Sequence, residues 1–250
     1  MIKFIDANCM IGNRMAPREG SPVTTGDFLE IMDRVGIEQA ICYHSVGVEN
    51  SCLLGIPELE KTVKGYEDRL MKQWVVQPNI WDEFMTPHML LAEMKKHNVK
   101  TVRFFPFSKQ YSMAPYSAGS MIDALSECNV PIFVNYAEMQ GAANIYDLCK
   151  NYPKAKFVIC DPGYRTVRFL APIFESCDNI YLDSSNFIIH NAVARFCQYV
   201  GAERMLFGSG MPNASAAAAT SLIRYADISD EEKQLIASGN IVRLLEEVAL

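Results

Sequence analysis

Many of the short patterns that reveal a chemistry are missing from this 250-residue chain. It has only four histidines, none in an H-x-H or H-E-x-x-H pair, so the usual histidine signatures of a divalent metal site do not occur. Its eight cysteines are never spaced C-x-x-C. Several lie inside apolar runs, such as Cys42 in "AICYH" and Cys160 in "FVICD", which predicts buried free thiols in a reducing cytoplasm rather than disulfides. No G-x-G-x-x-G or Walker loop follows the first apolar run, which argues against nucleotide binding. No stretch approaches the ~18 apolar residues of a membrane span. The opening "MIKFIDA" turns acidic too soon for a secretory signal. Charge is unremarkable: a net −6 and a pI near 5.3, with no block of one sign, argue against nucleic acid or an anionic membrane as the partner. These features together predict a cytoplasmic protein.

What is present is a repeating alternation. Eight β-rich runs recur: "KFIDA" (3–7), "QAICYH" (39–44), "QWVVQP" (73–78), "TVRFFP" (101–106), "PIFVNY" (131–136), "KFVICD" (156–161), "IYLDSS" (180–185) and "RMLFGS" (204–209). Most are continuously apolar, as expected of strands buried on both faces of a parallel sheet. Helical patterns fill the gaps, over 26–36, 57–70, 86–97, 117–129, 141–151 and 214–226. In "RTVRFLAPIFESC", Val167, Leu170, Ala171 and Phe174 share one helical face, with Pro172 as a possible kink. A helical tail follows Ser229, which with Glu232 has the spacing of a capping box. Strict alternation of eight strand–helix units in about 250 residues predicts an α/β fold, a (β/α)8 TIM barrel with a helical C-terminal tail, as one domain over residues 1–250. A doubly wound open sheet is the alternative.

In such a barrel the chemistry sits at the carboxyl ends of the strands. The polar groups placed there include Asn8, Met10, His44, Arg103, Asn135, Glu138, Asp161, Asp183, Ser185, Asn186, Ser209 and Gly210. Of the histidines only His44 falls at a strand end. A hydrogen-bonded structural role and an acid/base role both remain open for it.

These strand ends resemble the amidohydrolase superfamily, specifically its amidohydrolase-2 branch of hydrolases and decarboxylases. "FIDANCMIG" is similar to that family's opening "IDxHxHxG", and "KFVICDPGY" to "KFVLxHxGG". "IYLDSSN" resembles "VYxDxSG", "RMLFGSGMPN" resembles "RILFGSDYPH", and "GNIVRLL" resembles the terminal "xNAxRLL". The likeness spans nearly the whole chain. It implies a hydrolase or decarboxylase in which histidines and an aspartate surround a divalent metal and its water. The matching positions here are Asn8, Met10, Asn135, Asp161 and Gly210. Only Asp161 keeps a strong ligand for a hard metal, so the resemblance implies the fold without the metal, and no cofactor is expected.

Two functions follow as expectations. In one, the chain is an enzyme for metal-independent hydrolysis (lactone or amide type) or decarboxylation of a small carboxylated molecule. Asp161 is then base or nucleophile with His44 as partner, Asn8 and Asn135 are oxyanion donors, and Arg103 holds the substrate carboxylate. A turn-capping role for Asp161 in "DPGYR" is equally open. In the other, the barrel is catalytically inactive. It then binds a small anion, carboxylate or phosphate, near Ser185, Ser209 and Gly210, or serves as an assembly surface. A homo-oligomer is compatible with either, and the long connection 106–119 is read as a loop, a lid or a contact surface.

Overall fold

The computed structural model describes residues 2–16 and 18–250. The chain runs β1 (Phe4–Ile11), α1 (Thr25–Val35), β2 (Ile37–His44), α2 (Ser45–Glu49), α3 (Cys52–Val63), β3 (Leu70–Val76), α4 (Pro87–Lys96), β4 (Thr101–Phe104) and α5 (Pro115–Glu127). It continues β5 (Pro131–Asn135), α6 (Ala142–Asn151), β6 (Lys156–Cys160), α7 (Val167–Ser176), β7 (Ile180–Asp183), α8 (Ala192–Tyr199), β8 (Met205–Leu206), α9 (Ala216–Arg224), α10 (Asp230–Gln234) and α11 (Asn240–Glu246). The strands pair in parallel, in sequence order from β1 to β8. β8 is short, but the backbone beyond it closes the ring on β1: Ala7 N donates to Phe207 O (2.9 Å), Gly210 N to Asn8 O (3.0 Å) and Met10 N to Met211 O (2.8 Å). The expected TIM barrel is therefore the fold, and the helical tail is present.

Two apolar clusters follow from the two faces of the sheet. The larger lies between strands and helices and holds residues such as Phe28, Trp74, Ile122 and Phe174. The smaller fills the barrel axis with Ala7, Ile41, Phe133, Val158, Cys160, Tyr181 and Leu206, the inward members of their strands at a period of two. Its floor is the tail: Ile241 and Leu244 of α11 join this inner cluster. Asn240 anchors them, donating Nδ2 to Ala202 O and Met205 O at 2.8 Å each. The Ser229–Glu232 capping box forms as the spacing predicts.

The departures from the expected elements lie after β2. The helix expected over 57–70 starts at Cys52 and ends at Val63, and β3 begins at Leu70. A short extra helix, α2, precedes it. The cause is a close crossing of backbones: a Cβ on Gly55 would lie 2.4 Å from Gly47 Cα. Only glycine allows α2 and α3 to meet there. No described helix is long and apolar enough to cross a membrane. All eight cysteines are free, most of them buried.

Candidate functional site

The centre of the barrel mouth is built around a buried cation. Arg103 points inward from β4 and is fully buried. Its Nη1 donates to Asn8 Oδ1 at 2.8 Å and its Nη2 to Cys160 Sγ at 2.7 Å. Its guanidinium carbon lies 4.4 Å from the centre of the Tyr43 ring, a cation–π contact in a desolvated setting. Burial opposes its charge, but Cys160, Tyr43, Asp161 and Asp183 around it hold its pKa above the ordinary value. Burial pushes the Tyr43 hydroxyl to about 12, so it stays neutral.

Asn8 reaches this position through a local irregularity. The pairing of β1 with β2 shifts between Asp6 and Cys9, so three steps on β1 face two on β2. Such a bulge re-aims a side chain, and here it turns Asn8 toward the axis. Asp6 fixes the bulge: its Oδ1 accepts from Asn8 N (3.1 Å) and Ser209 N (2.9 Å). Burial raises the pKa of Asp6 against these hydrogen bonds.

Asp161 lies at the rim, just past β6. Its φ of +50° is left-handed and directly precedes Pro162, a strained placement that costs of order 1–3 kcal/mol. Hydrogen bonds hold it there. Oδ2 accepts from Asn135 Nδ2 (2.8 Å), while Oδ1 accepts from Ser185 Oγ (3.0 Å) and Asn186 Nδ2 (2.9 Å). Its N–H faces Asp183 Oδ1 and Ser185 Oγ, both at 3.1 Å. Ser185 Oγ also lies 2.6 Å from Asp183 Oδ1 and accepts from Asn8 Nδ2 at 3.0 Å. One hydroxyl thus bridges two carboxyl groups. Asp183 is fully buried, and desolvation, reinforced by the Asp161 charge, raises its pKa to about 7. Gly208 makes room for it, since a Cβ there would stand 2.4 Å from Asp183 Oδ2.

The structure therefore brings Asn8, Arg103, Asn135, Asp161, Ser185 and Gly210 together. Gly210 lies against Asp161, a Cβ there falling 3.4 Å from Oδ1. His44 is elsewhere. Its Nδ1 accepts from Val46 N at 3.2 Å and caps α2, and its pKa is lowered by burial, with Glu58 and Lys61 as the charges that act on it. The expected Asp161–His44 pairing is not formed. Asn8 Nδ2 gives one of its two N–H groups to Ser185, and Asn135 Nδ2 gives one to Asp161. Arg103, fully buried, cannot grip a ligand carboxylate as placed. Ser209 is part of the turn, its Oγ accepting from Met211 N at 3.0 Å. Asp183, Cys160 and Tyr43, to which the sequence assigned no role, carry much of the centre's electrostatics. Strand parity was the available signal, since each sits two residues from an inward neighbour.

The donor set does not suit a hard divalent metal. Asn8 Oδ1 already receives Arg103, Asn135 and Ser185 occupy Asp161, Met10 offers a thioether, and Gly210 offers nothing. A fixed guanidinium on Asn8 would repel a second cation there. No group of three or more His, Cys, Asp or Glu side chains able to hold a metal occurs among the described residues. The 106–119 connection walls a cavity of about 730 Å³ with Glu138, Asn144 and Asp147. It is fastened by Phe105 N to Tyr111 OH (3.0 Å) and by Ser108 N to Glu138 Oε2 (2.8 Å).

Known proteins share this architecture. An uncharacterised TIM-barrel protein from Bordetella bronchiseptica superposes with a TM-score of 0.79 at 17% identity, over 98% of this chain and 99% of its own. A 2,6-dihydroxybenzoate decarboxylase from Rhizobium gives 0.78 at 12%, over 98% and 99%. A dihydroxybenzoic acid decarboxylase from a Polaromonas species, with bound manganese and the inhibitor 2-nitroresorcinol, gives 0.77 at 15%, over 98% and 97%. At these identities the likeness is one of fold. No curated protein sequence matches. A family model described as amidohydrolase, in its second branch, matches residues 60–246, and the chain accordingly belongs to the amidohydrolase-2 family.

Proposed function

We propose that this chain is a metal-independent member of its family that performs acid–base chemistry on a small carboxylated molecule at the barrel mouth. The reaction is hydrolysis of a lactone or amide, or decarboxylation. The observation that carries this reading is the Asp161–Ser185–Asp183 chain, with oxygen separations of 3.0 and 2.6 Å. Asp161 is the rim carboxylate, oriented by Asn135 and Asn186. Asp183 is the buried partner, poised near neutrality. Two carboxyl groups whose environments differ in this way can take and store a proton at about pH 7. A proton removed from water or substrate by Asp161 is passed through the Ser185 hydroxyl to Asp183. Arg103 acts from beneath as a fixed cation that limits the charge the pair can accumulate. The neighbouring decarboxylases act on aromatic carboxylates, which makes that substrate class the first to screen.

A second reading, ligand binding without turnover, is favoured by one observation: both Asp161 oxygens already have donors. The two separate in one experiment. Small lactones, amides and hydroxybenzoates are incubated with protein in excess chelator, and product is followed by chromatography. The enzymatic reading expects turnover in chelator that Asp161→Asn abolishes and Ser185→Ala lowers. Turnover unaffected by both substitutions, or present only with added manganese, overturns it. Saturable binding without product supports the second reading.

A further inference from the structure

The apolar stripe of α7, Val167, Leu170, Ala171 and Phe174, recurs at helical spacing, yet it does not pack against protein along its whole length. All four residues line a cavity of about 250 Å³ between α7 and α8. The floor is Leu182, buried on the outward side of β7, so the cavity runs inward as far as the sheet. Phe196 of α8 forms the facing wall. Its ring stands edge to face with Phe174, 5.1 Å between centres, and with Phe187 at 6.3 Å. Protein interiors leave few voids larger than a water molecule, and water finds few partners on apolar walls. A space of this kind suits an apolar group. About 150 Å³ of apolar cavity is enough to take a benzene molecule, so this one holds a phenyl ring with room for several atoms more.

The rim says what those further atoms are. Glu175 follows Ala171 by four residues on α7, and Arg195 follows Ala192 by three on α8. The helical repeat thus brings one acid and one base to the same opening from two different helices, and both line the cavity. Both are exposed. Neither forms an ion pair among the described residues, with the other or with any third group. A ligand carrying only a carboxylate meets Arg195 but is opposed by Glu175, and one carrying only an ammonium meets the reverse. A neutral ligand uses neither charge. A zwitterion satisfies both, with its carboxylate on the guanidinium and its ammonium on the acid. An apolar pocket with a few polar groups that fix orientation is the usual form of a small-molecule site.

We propose that the cavity between α7 and α8 binds a free α-amino acid with an aromatic side chain. The ring enters among Phe174, Phe187 and Phe196, where edge-to-face contacts favour another aromatic group. Arg195 and Glu175 hold the carboxylate and the ammonium at the rim. Asp161, Asp183 and Ser185 do not line this cavity. The barrel mouth therefore stays open when the ligand is in place, and the proposal stands apart from the chemistry assigned there.

Calorimetric titration with L-phenylalanine, 3-phenylpropionate and 2-phenylethylamine tests this, with urea unfolding to confirm that each variant is folded. L-Phenylalanine is expected to bind one to one, and each singly charged analogue about fivefold more weakly. Arg195→Gln is expected to weaken L-phenylalanine about fivefold while sparing 2-phenylethylamine. Glu175→Gln is expected to do the same while sparing 3-phenylpropionate. Ala171→Phe fills the cavity and is expected to abolish binding. No saturable binding of L-phenylalanine overturns the proposal, as does equal affinity for the three molecules. So does L-phenylalanine binding that ignores either charge substitution, or that persists in folded Ala171→Phe.

Discussion

Asp183 makes the folded protein unusually easy to test by pH. A carboxyl in the unfolded chain titrates near ~3.9; in the fold, burial beside Asp161 moves Asp183 up to about 7. The native state therefore binds this proton more tightly than the unfolded state does. Its stabilising effect is complete below the unfolded pKa and is lost as pH rises through the folded one. The difference amounts to of order 4 kcal/mol, of which roughly 2–3 kcal/mol falls between about pH 5 and about pH 8. Asp6, also raised by burial, works in the same direction. His44, lowered by burial, works in the opposite one, losing stability as the pH falls. A single pH profile would mix these effects, so the measurement is a difference. Urea unfolding of the wild type and of Asp183→Asn is compared at both pH values. Asparagine keeps an oxygen to accept from Asp161 N but cannot ionise. The wild type is expected to lose roughly 2–3 kcal/mol more than the variant on going to the higher pH. Two parallel profiles, differing by under ~0.5 kcal/mol, would refute the assignment of a raised pKa to this buried acid.

Other expectations are simpler. Arg103→Met keeps the volume but removes the cation from Asn8, Cys160 and Tyr43; chemical denaturation is expected to show a loss of about 3 kcal/mol, and a loss under ~1 would mean that the cation does not hold the centre together. Gly208→Ala drives a methyl against Asp183 and is expected to cost roughly 1–3 kcal/mol in the same assay. His44→Ala removes the cap of α2, for an expected loss of roughly 0.5–2 kcal/mol. Any activity of Asp161 should survive that change, and its disappearance would restore His44 as a partner.

The barrel was legible because each strand and helix carries its own period. The one misplaced helix depended on Gly47 meeting Gly55, a tertiary contact that no local pattern records. At the mouth, Asn8, Asn135, Asp161 and Gly210, the positions matched by the resemblance, lie side by side in the fold. What the resemblance could not give was the pairing among them. Asn8 points inward because β1 bulges, and whether Asn8 and Asn135 offer their N–H groups to a ligand depends on who already takes them. Arg103 reads in the sequence as a side chain reaching for substrate. In the fold its position on β4, inward and below the rim, commits it to its neighbours instead. His44 was singled out as the one histidine at a strand end, but the chain turns into α2 at the next residue, and the imidazole caps that helix.

The most direct test of a guanidinium in place of a metal is the barrel mouth itself, seen in crystals grown with excess manganese and measured at the manganese absorption edge. The account predicts no anomalous peak near Asn8 and Asp161, with density joining Arg103 to Asn8. A manganese ion bound by Asp161 at the mouth, with Arg103 turned away, would contradict it.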